Sequence, residues 1–295
     1  MIILIGGTGY VGIKFQEILT KRNKSFVNLS RKDINYYDFK ALNGVIEDKK
    51  PDFVINCAGF TGKPNVDQCE VEKSNTIKGN VLLPQIIAQV CDLNDIPLVH
   101  VSSGCIYAGD KGSGCNNALI GFDEEDEPNF SFDQPPCSFY SGTKALSEQV
   151  LSQFEKVYTC RLRIPFDEFD SNRNYLSKIQ KYDKAYNATN SVSHREEFVN
   201  ACIDLALQNH DFGIYNVTNT GYVTTKCVIN MIKKYLNVDK EFKYWESDDE
   251  FYSVGAVAHR SNCVMDNSKL KHTGINMSHC LDAIASSLKN WKESH

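Results

Sequence analysis

The chain opens Met1-Ile2-Ile3-Leu4-Ile5-Gly6-Gly7-Thr8-Gly9-Tyr10-Val11-Gly12. Four apolar residues, Ile2–Ile5, run straight into glycines spaced at 6, 9 and 12, and an amphipathic pattern follows over 11–22. A short buried strand, a glycine turn and a helix in that order define a dinucleotide-binding start. The glycines allow a tight turn, close approach of the backbone to a pyrophosphate, and close helix–strand packing. The helix N-terminus then offers unpaired N–H groups to the phosphates.

Working outward, short apolar runs alternate with helical patterns. Phe26–Leu29, Phe53–Asn56, Leu98–Ser102 and Thr159–Ile164 read as further buried strands. Helical stretches fall near 37–49, 76–93 and 140–155. This alternation predicts an α/β fold: a Rossmann-like, doubly wound parallel sheet with helices on both faces. A cofactor domain is expected over 1–165, with a return strand near 211–220. A smaller C-terminal substrate lobe is expected over 166–295, covering the strand ends where such folds bind ligands. The Gly-, Asn-, Asp- and Pro-rich segment 109–137 reads as a long loop.

Composition narrows the function. The 295 residues carry a net charge of −5, 42% hydrophobic and 23% charged residues, with no basic block. Nucleic acid and anionic membrane are therefore poor partners. No stretch reaches the roughly 18 apolar residues of a membrane span. The first apolar run is too short for a signal peptide and lacks a basic leader, so a cytoplasmic location is expected. The 11 cysteines are odd in number and form no CxxC pair. They read as reduced thiols, and no metal site is expected.

After the second strand the chain reads Leu29-Ser30-Arg31-Lys32-Asp33. An acid at this point binds the ribose hydroxyls of NAD, whereas cations suit the 2′-phosphate of NADP. Arg31 therefore favours NADPH. Asp33 keeps NADH as the weaker alternative, and two solvated surface cations remain the plain reading.

Tyr140-Ser141-Gly142-Thr143-Lys144 places a tyrosine and a lysine at i and i+4, on one helical face. A phenol with an ordinary pKa of about 10 is a poor acid or base at neutral pH. A nearby ammonium is expected to lower that value, so that Tyr140 can exchange a proton with a substrate oxygen. Ser103, at the end of the fourth strand, would help polarise a carbonyl. Taken alone, an exposed Tyr and Lys on a helix is an ordinary occurrence.

Together these features resemble the extended short-chain dehydrogenase/reductase superfamily. The likeness runs from the glycine turn through Asn56-Cys57-Ala58-Gly59, similar to that family's NNAG strand end, to Ser103, Tyr140 and Lys144. It implies a cofactor cradle of Gly6, Thr8, Gly9, Tyr10, Val11, Gly12, Arg31, Asn56, Ala58, Gly59, Tyr140, Lys144 and Pro165. It also points to a homodimer, although no interface can be read from the chain.

Gly104-Cys105 follows Ser103, where a sugar-nucleotide 4,6-dehydratase would carry an Asp-Glu pair. Dehydration is therefore not expected. A thiol there can move a proton at the carbon beside a ketone, or be a small buried residue at a strand end. Ser-x-Cys-Ile-Tyr is similar to GDP-fucose synthase. The segments 58–67, 124–130, 138–141, 161–165, 172–179 and 260–262 more closely resemble the plant-type UDP-4-keto-6-deoxyglucose 3,5-epimerase/4-reductases of UDP-L-rhamnose synthesis. That resemblance implies an epimerase pair of Cys105 and Lys178, with Asn174 and Arg260 near the substrate diphosphate and Lys63 and Asn65 lining the sugar pocket. Read alone, Lys178 is a solvated helix lysine. The implied substrate is UDP-4-keto-6-deoxyglucose, supplied by a separate 4,6-dehydratase. Asp133-Gln134-Pro135-Pro136-Cys137 looks like an insertion that would alter the pocket rim. The rival readings are a dTDP-4-keto-L-rhamnose reductase without epimerase activity and a non-catalytic NADP-binding regulatory subunit.

Overall fold

The computed structural model describes residues 1–293; the last two positions of the expected substrate lobe lie outside the described residues. The sheet half contains β1 (Ile2–Ile5), α1 (Tyr10–Lys21), β2 (Phe26–Leu29), α2 (Phe39–Lys49), β3 (Phe53–Asn56), α3 (Leu83–Leu93), β4 (Leu98–Ser103), α4 (Phe139–Leu151) and β5 (Val157–Leu162). After α5 (Tyr175–Lys181) and α6 (Arg195–Leu207) the chain returns as β6 (Gly213–Asn216). The six strands form one sheet in the order β6-β5-β4-β3-β1-β2, all parallel. The order reverses between β1 and β3, so the crevice at their carboxyl ends is the ligand position of this fold.

The strands are apolar because both faces are covered. Ile2 and Leu4 point into one core with Phe15, Leu19, Phe198 and Cys202 of α1 and α6. Ile3 and Ile5 point into the other with Leu42, Ile46, Ile87 and Val90 of α2 and α3. Side-chain caps start the helices: Asp38 accepts from Ala41 N–H, and Ser138 accepts from Ser141 N–H.

Two expected elements differ. The helical stretch 76–93 is broken by a π-turn over Lys78–Leu82. The Asn80 side chain there bonds to the Phe60 backbone rather than facing solvent. The fifth strand starts and ends two residues earlier than its apolar pattern suggests. Ile164 has φ +37°, a conformation β-branched residues rarely adopt, and the strand ends before it.

Beyond the sheet, two-residue strands pair across long separations. A third core gathers Phe166, Leu176, Val223, Ile229 and Ile284, using α5, α7 (Thr225–Leu236) and α8 (Cys280–Lys289). The long segment 109–137 is tied down at Gly109 and Phe122, which pair with Cys263 and Met265. No described helix is long and apolar enough to cross a membrane.

Candidate active site

The glycine turn is as tight as its sequence requires. Gly6 sits at φ +86°, and an added Cβ would meet Ala58 N at 2.4 Å. A Cβ on Gly12 would meet the Gly6 carbonyl oxygen at 2.2 Å. Thr8 and Gly9 are exposed, and Gly9 precedes the first residue of α1. Asn56 closes the next strand end, where its Oδ1 accepts from Ala58 N–H at 3.0 Å. Gly59 is exposed beside it. This backbone cradle, open at a helix N-terminus, fits a dinucleotide pyrophosphate.

Tyr10 gives the turn its backbone, but its side chain serves the second lobe. Its hydroxyl donates to Asp167 Oδ1 at 3.2 Å, and the Arg195 guanidinium stacks 4.1 Å from its ring. Arg195 also ion-pairs with buried Asp167. Val11 is half-buried against the core on the α1 side of the sheet, and Pro165 is half-buried in a two-residue strand paired with Ser193. Arg31 and Lys32 are exposed. Asp33 folds back, its Oδ2 accepting from both Ser30 N–H and Ser30 O–H at 2.7 Å. Those hydrogen bonds hold its carboxyl below the ordinary value.

Ser103 ends β4, and its Oγ accepts from Cys105 N–H at 3.2 Å, so the serine caps the short turn that presents the cysteine. Tyr140 and Lys144 lie one turn apart on α4. Lys144 is buried; its Nζ donates to the Val101 carbonyl at 3.2 Å, and burial brings its pKa down to about 8. Tyr140 corrects an expectation. Its phenol is pushed above the ordinary value, first by burial and then by the Cys105 thiol. Ser103 and Arg163 act in the opposite direction, and Lys144 is not among the leading influences.

Lys178 is half-buried on α5. Burial pushes its amine down, and Arg173 and Arg260 add to the effect. Arg260 lies beside the 61–67 loop, donating from both terminal nitrogens to Asp67, at 2.7 and 2.9 Å. Arg173 holds the same loop through Thr61 Oγ1 and the Gly62 carbonyl. Lys63 and Asn65 are exposed on it.

Asn174 is a second correction. It is wholly buried and caps α5: its Oδ1 accepts from Leu176 N–H, and its Nδ2 donates to Asp167 O, Asp167 Oδ1 and Phe169 O. Its polar atoms are engaged within the fold, leaving it no free group for a diphosphate. The 133–137 segment leads into α4, with residues 133–136 exposed and Asp133 Oδ2 accepting from Gln149 Nε2 at 3.1 Å. The neighbouring Phe132 ring packs on Gly142, where a Cβ would meet it at 2.2 Å. Gly142 is two residues from both Tyr140 and Lys144, hence on the opposite face of α4.

Two residues of the site escape motif reading. Buried Asn80 bonds both to Phe60 and, at 3.2 Å, to Thr143 Oγ1, tying the loop after β3 to the helix of Tyr140 and Lys144. The signal was a lone asparagine in an apolar helical run, and π-turns gather at functional sites. Buried Arg163 reaches Cys105 Sγ with Nη1 at 2.9 Å. A charged residue in a buried strand must find a partner, and that was its signal.

The geometry defines a reductase-type Rossmann domain with a Ser/Tyr/Lys set at the carboxyl end of its sheet. The family model for the RmlD substrate binding domain matches residues 1–293. The chain belongs to that family. It is 34% identical over 270 residues to an Arabidopsis thaliana bifunctional dTDP-4-dehydrorhamnose 3,5-epimerase/dTDP-4-dehydrorhamnose reductase, covering 91% of this chain and 86% of that one. It is 40% identical over 238 residues to a trifunctional UDP-glucose 4,6-dehydratase/UDP-4-keto-6-deoxy-D-glucose 3,5-epimerase/UDP-4-keto-L-rhamnose-reductase of the same plant. That match covers 79% of this chain and 34% of the relative, so the chain spans about a third of the trifunctional protein's length. The crystal structure of the L780 UDP-rhamnose synthase of Acanthamoeba polyphaga mimivirus superposes with TM-score 0.89 at 24% identity, covering 98% and 99% of the two chains. A Bacillus anthracis dTDP-4-dehydrorhamnose reductase in complex with NADP shares the fold, with TM-score 0.80, 20% identity and coverage of 98% and 97%.

Proposed function

We propose that the protein converts UDP-4-keto-6-deoxy-D-glucose to UDP-L-rhamnose, by 3,5-epimerisation followed by NADPH-dependent reduction of the C4 ketone. One observation carries this reading: a thiol, Cys105, sits on the turn capped by Ser103 and acts on Tyr140. A simple ketone reductase has no use for a proton-transfer group there. The names of the plant relatives agree.

The C4 ketone acidifies the hydrogens at C3 and C5. Lys178, held toward its neutral amine by burial and two arginines, is suited to accept such a proton. Cys105 is assigned the return of a proton to the opposite face, which inverts one centre with no net change of atoms in the sugar; Lys178 then sheds its proton to solvent and the Cys105 thiolate takes one back before the second centre is inverted. Ser103 and Tyr140 meet the charge on the enolate oxygen. Bound NADPH would supply hydride to C4. Tyr140 gives the oxygen its proton, which the raised phenol retains at neutral pH. Arg31 and Lys32 would meet the 2′-phosphate, since Asp33 is engaged with Ser30. Arg260 would trade Asp67 for the substrate diphosphate. The substrate would come from a 4,6-dehydratase. The ten described free cysteines suit a reducing compartment such as the cytosol.

The test is NMR of the product formed from UDP-4-keto-6-deoxyglucose and NADPH. UDP-L-rhamnose is expected. A 6-deoxy-D-hexose would overturn the epimerase step and leave a reductase; no consumption of NADPH with any 4-keto sugar nucleotide would overturn both.

A further inference from the structure

Two arginines sit two residues apart at the end of β5, both buried, with opposite electrostatic settings. Arg161 is matched. Its Nε and Nη2 donate to Glu148 Oε2 at 3.0 and 2.8 Å, and its Nη1 donates to the Tyr107 hydroxyl. Arg163 is not matched. Nη2 donates to Asn190 Oδ1 and the Ser261 carbonyl, and Nη1 reaches Cys105 Sγ. Its Nε has no hydrogen-bond partner. Among the described residues it ion-pairs with no carboxylate. The ionisable groups that weigh on it are thiols and a phenol: Cys263, Cys105 and Tyr175.

A buried cation without a countercharge is costly, and native proteins seldom retain one without use. The surroundings are built to keep it there. A Cβ on Gly104 would meet Met265 Sδ at 2.2 Å and approach the Arg163 side chain at 3.5 Å, so glycine lets the Cys105 turn sit close. Directly after Arg163, Ile164 takes its unfavourable positive φ. Tyr175, at the start of α5, the helix of Lys178, lies within the electrostatic reach of the guanidinium.

We propose that Arg163 is a positioning residue for Cys105: it fixes the sulfur at the site and supplies the countercharge for the thiolate that proton transfer creates. The inference rests on the epimerase reading. When Cys105 gives its proton to the sugar carbon, the S–H electron pair stays on sulfur. Arg163 gives up no proton, and the pair passes from one net positive charge to neutrality. The other ionisable groups around the sulfur and guanidinium are Tyr140 and Lys144 of α4, Tyr175 of α5, Cys263, and Arg161, whose charge Glu148 already meets.

The test follows alkylation of Cys105 by iodoacetamide against pH, read by mass spectrometry of its peptide. In Arg163→Gln, which keeps donors but loses the charge, the profile is expected to move to higher pH by at least about one unit. In a folded variant, a profile coincident with the native one overturns the proposal. Should Arg163→Gln fail to fold, Cys105→Asp and Cys105→Asn compare a charged and a neutral side chain of equal size against the intact arginine. Cys105→Asp is expected to melt higher at neutral pH, and the gap to close as the carboxylate is protonated. Equal or reversed melting temperatures overturn the proposal. Neither readout needs turnover. A chain that shows the pair but forms no L-sugar would retire the epimerase reading and leave the ion pair standing.

Discussion

The sheet half and the lobe reach their functional contacts over different chain distances. In the sheet half the cofactor cradle lies within 6–12 and 56–59, on strands that are neighbours in space. In the lobe, Arg260 meets Asp67 across 193 positions and Arg163 meets Ser261 across 98. The first half depends on a few close-packed or buried charged positions, and a change at one of them should be severe. The second mixes buried polar contacts, such as Asn174 and the Arg195–Asp167 pair, with partly exposed ones such as Arg260–Asp67, and its losses should be graded.

The contrast would be broken most directly at the buried pair of the sheet half. Glu148→Gln leaves Arg161 without a charge partner and is expected to cost about 3–5 kcal/mol in urea unfolding. A loss under about 1 kcal/mol would show that this half tolerates more than its packing implies. Tyr140→Phe is expected to lower ketone reduction by at least about a hundredfold, with cofactor affinity unchanged by fluorescence titration. Retained reduction would remove Tyr140 as proton donor.

Lys144 gives a signed pH test. Its folded-state pKa is brought down to about 8, whereas the unfolded chain holds that proton to about 10.4. Between those values the unfolded state binds more protons, so rising pH favours the folded state. Below the window both states are protonated, and burying the ammonium is a constant cost. The stability of the native chain relative to Lys144→Met should therefore climb from about pH 8 to about 10.4; a flat or falling difference would contradict the buried lysine. The smallest effect is expected in the lobe. Asp67 and Arg260 are each about a quarter exposed (24% and 23%), so Asp67→Asn should cost at most about 1 kcal/mol. It should also lower the KM for the nucleotide sugar by releasing Arg260. An unchanged KM would take Arg260 out of the diphosphate site.

The same division explains what could be read in advance. The glycine turn, Ser103, Tyr140 and Lys144 stand in short local motifs whose geometry is fixed by helix and strand periods, so they were legible. Asn174 shows the reverse. An asparagine just before a helical run is also an N-cap, and the local role took its side chain. The direction of the Tyr140 shift depends on burial by segments distant in sequence, which no i, i+4 spacing contains. Arg163 appeared inside a quoted segment, but its partners, at 105, 190 and 261, come from three other parts of the chain.

The return strand β6 carries a last consequence. It pairs along β5 only after the chain has left the sheet to build α5 and α6. A fragment cut after residue 165 would keep every cofactor motif and still lose the outer neighbour of β5. That strand would then present a free row of N–H and C=O groups at an open margin, a template for a second copy. In the whole chain the margin is β6 itself, a strand of four residues against the six of β5, and a shorter edge is a poorer template.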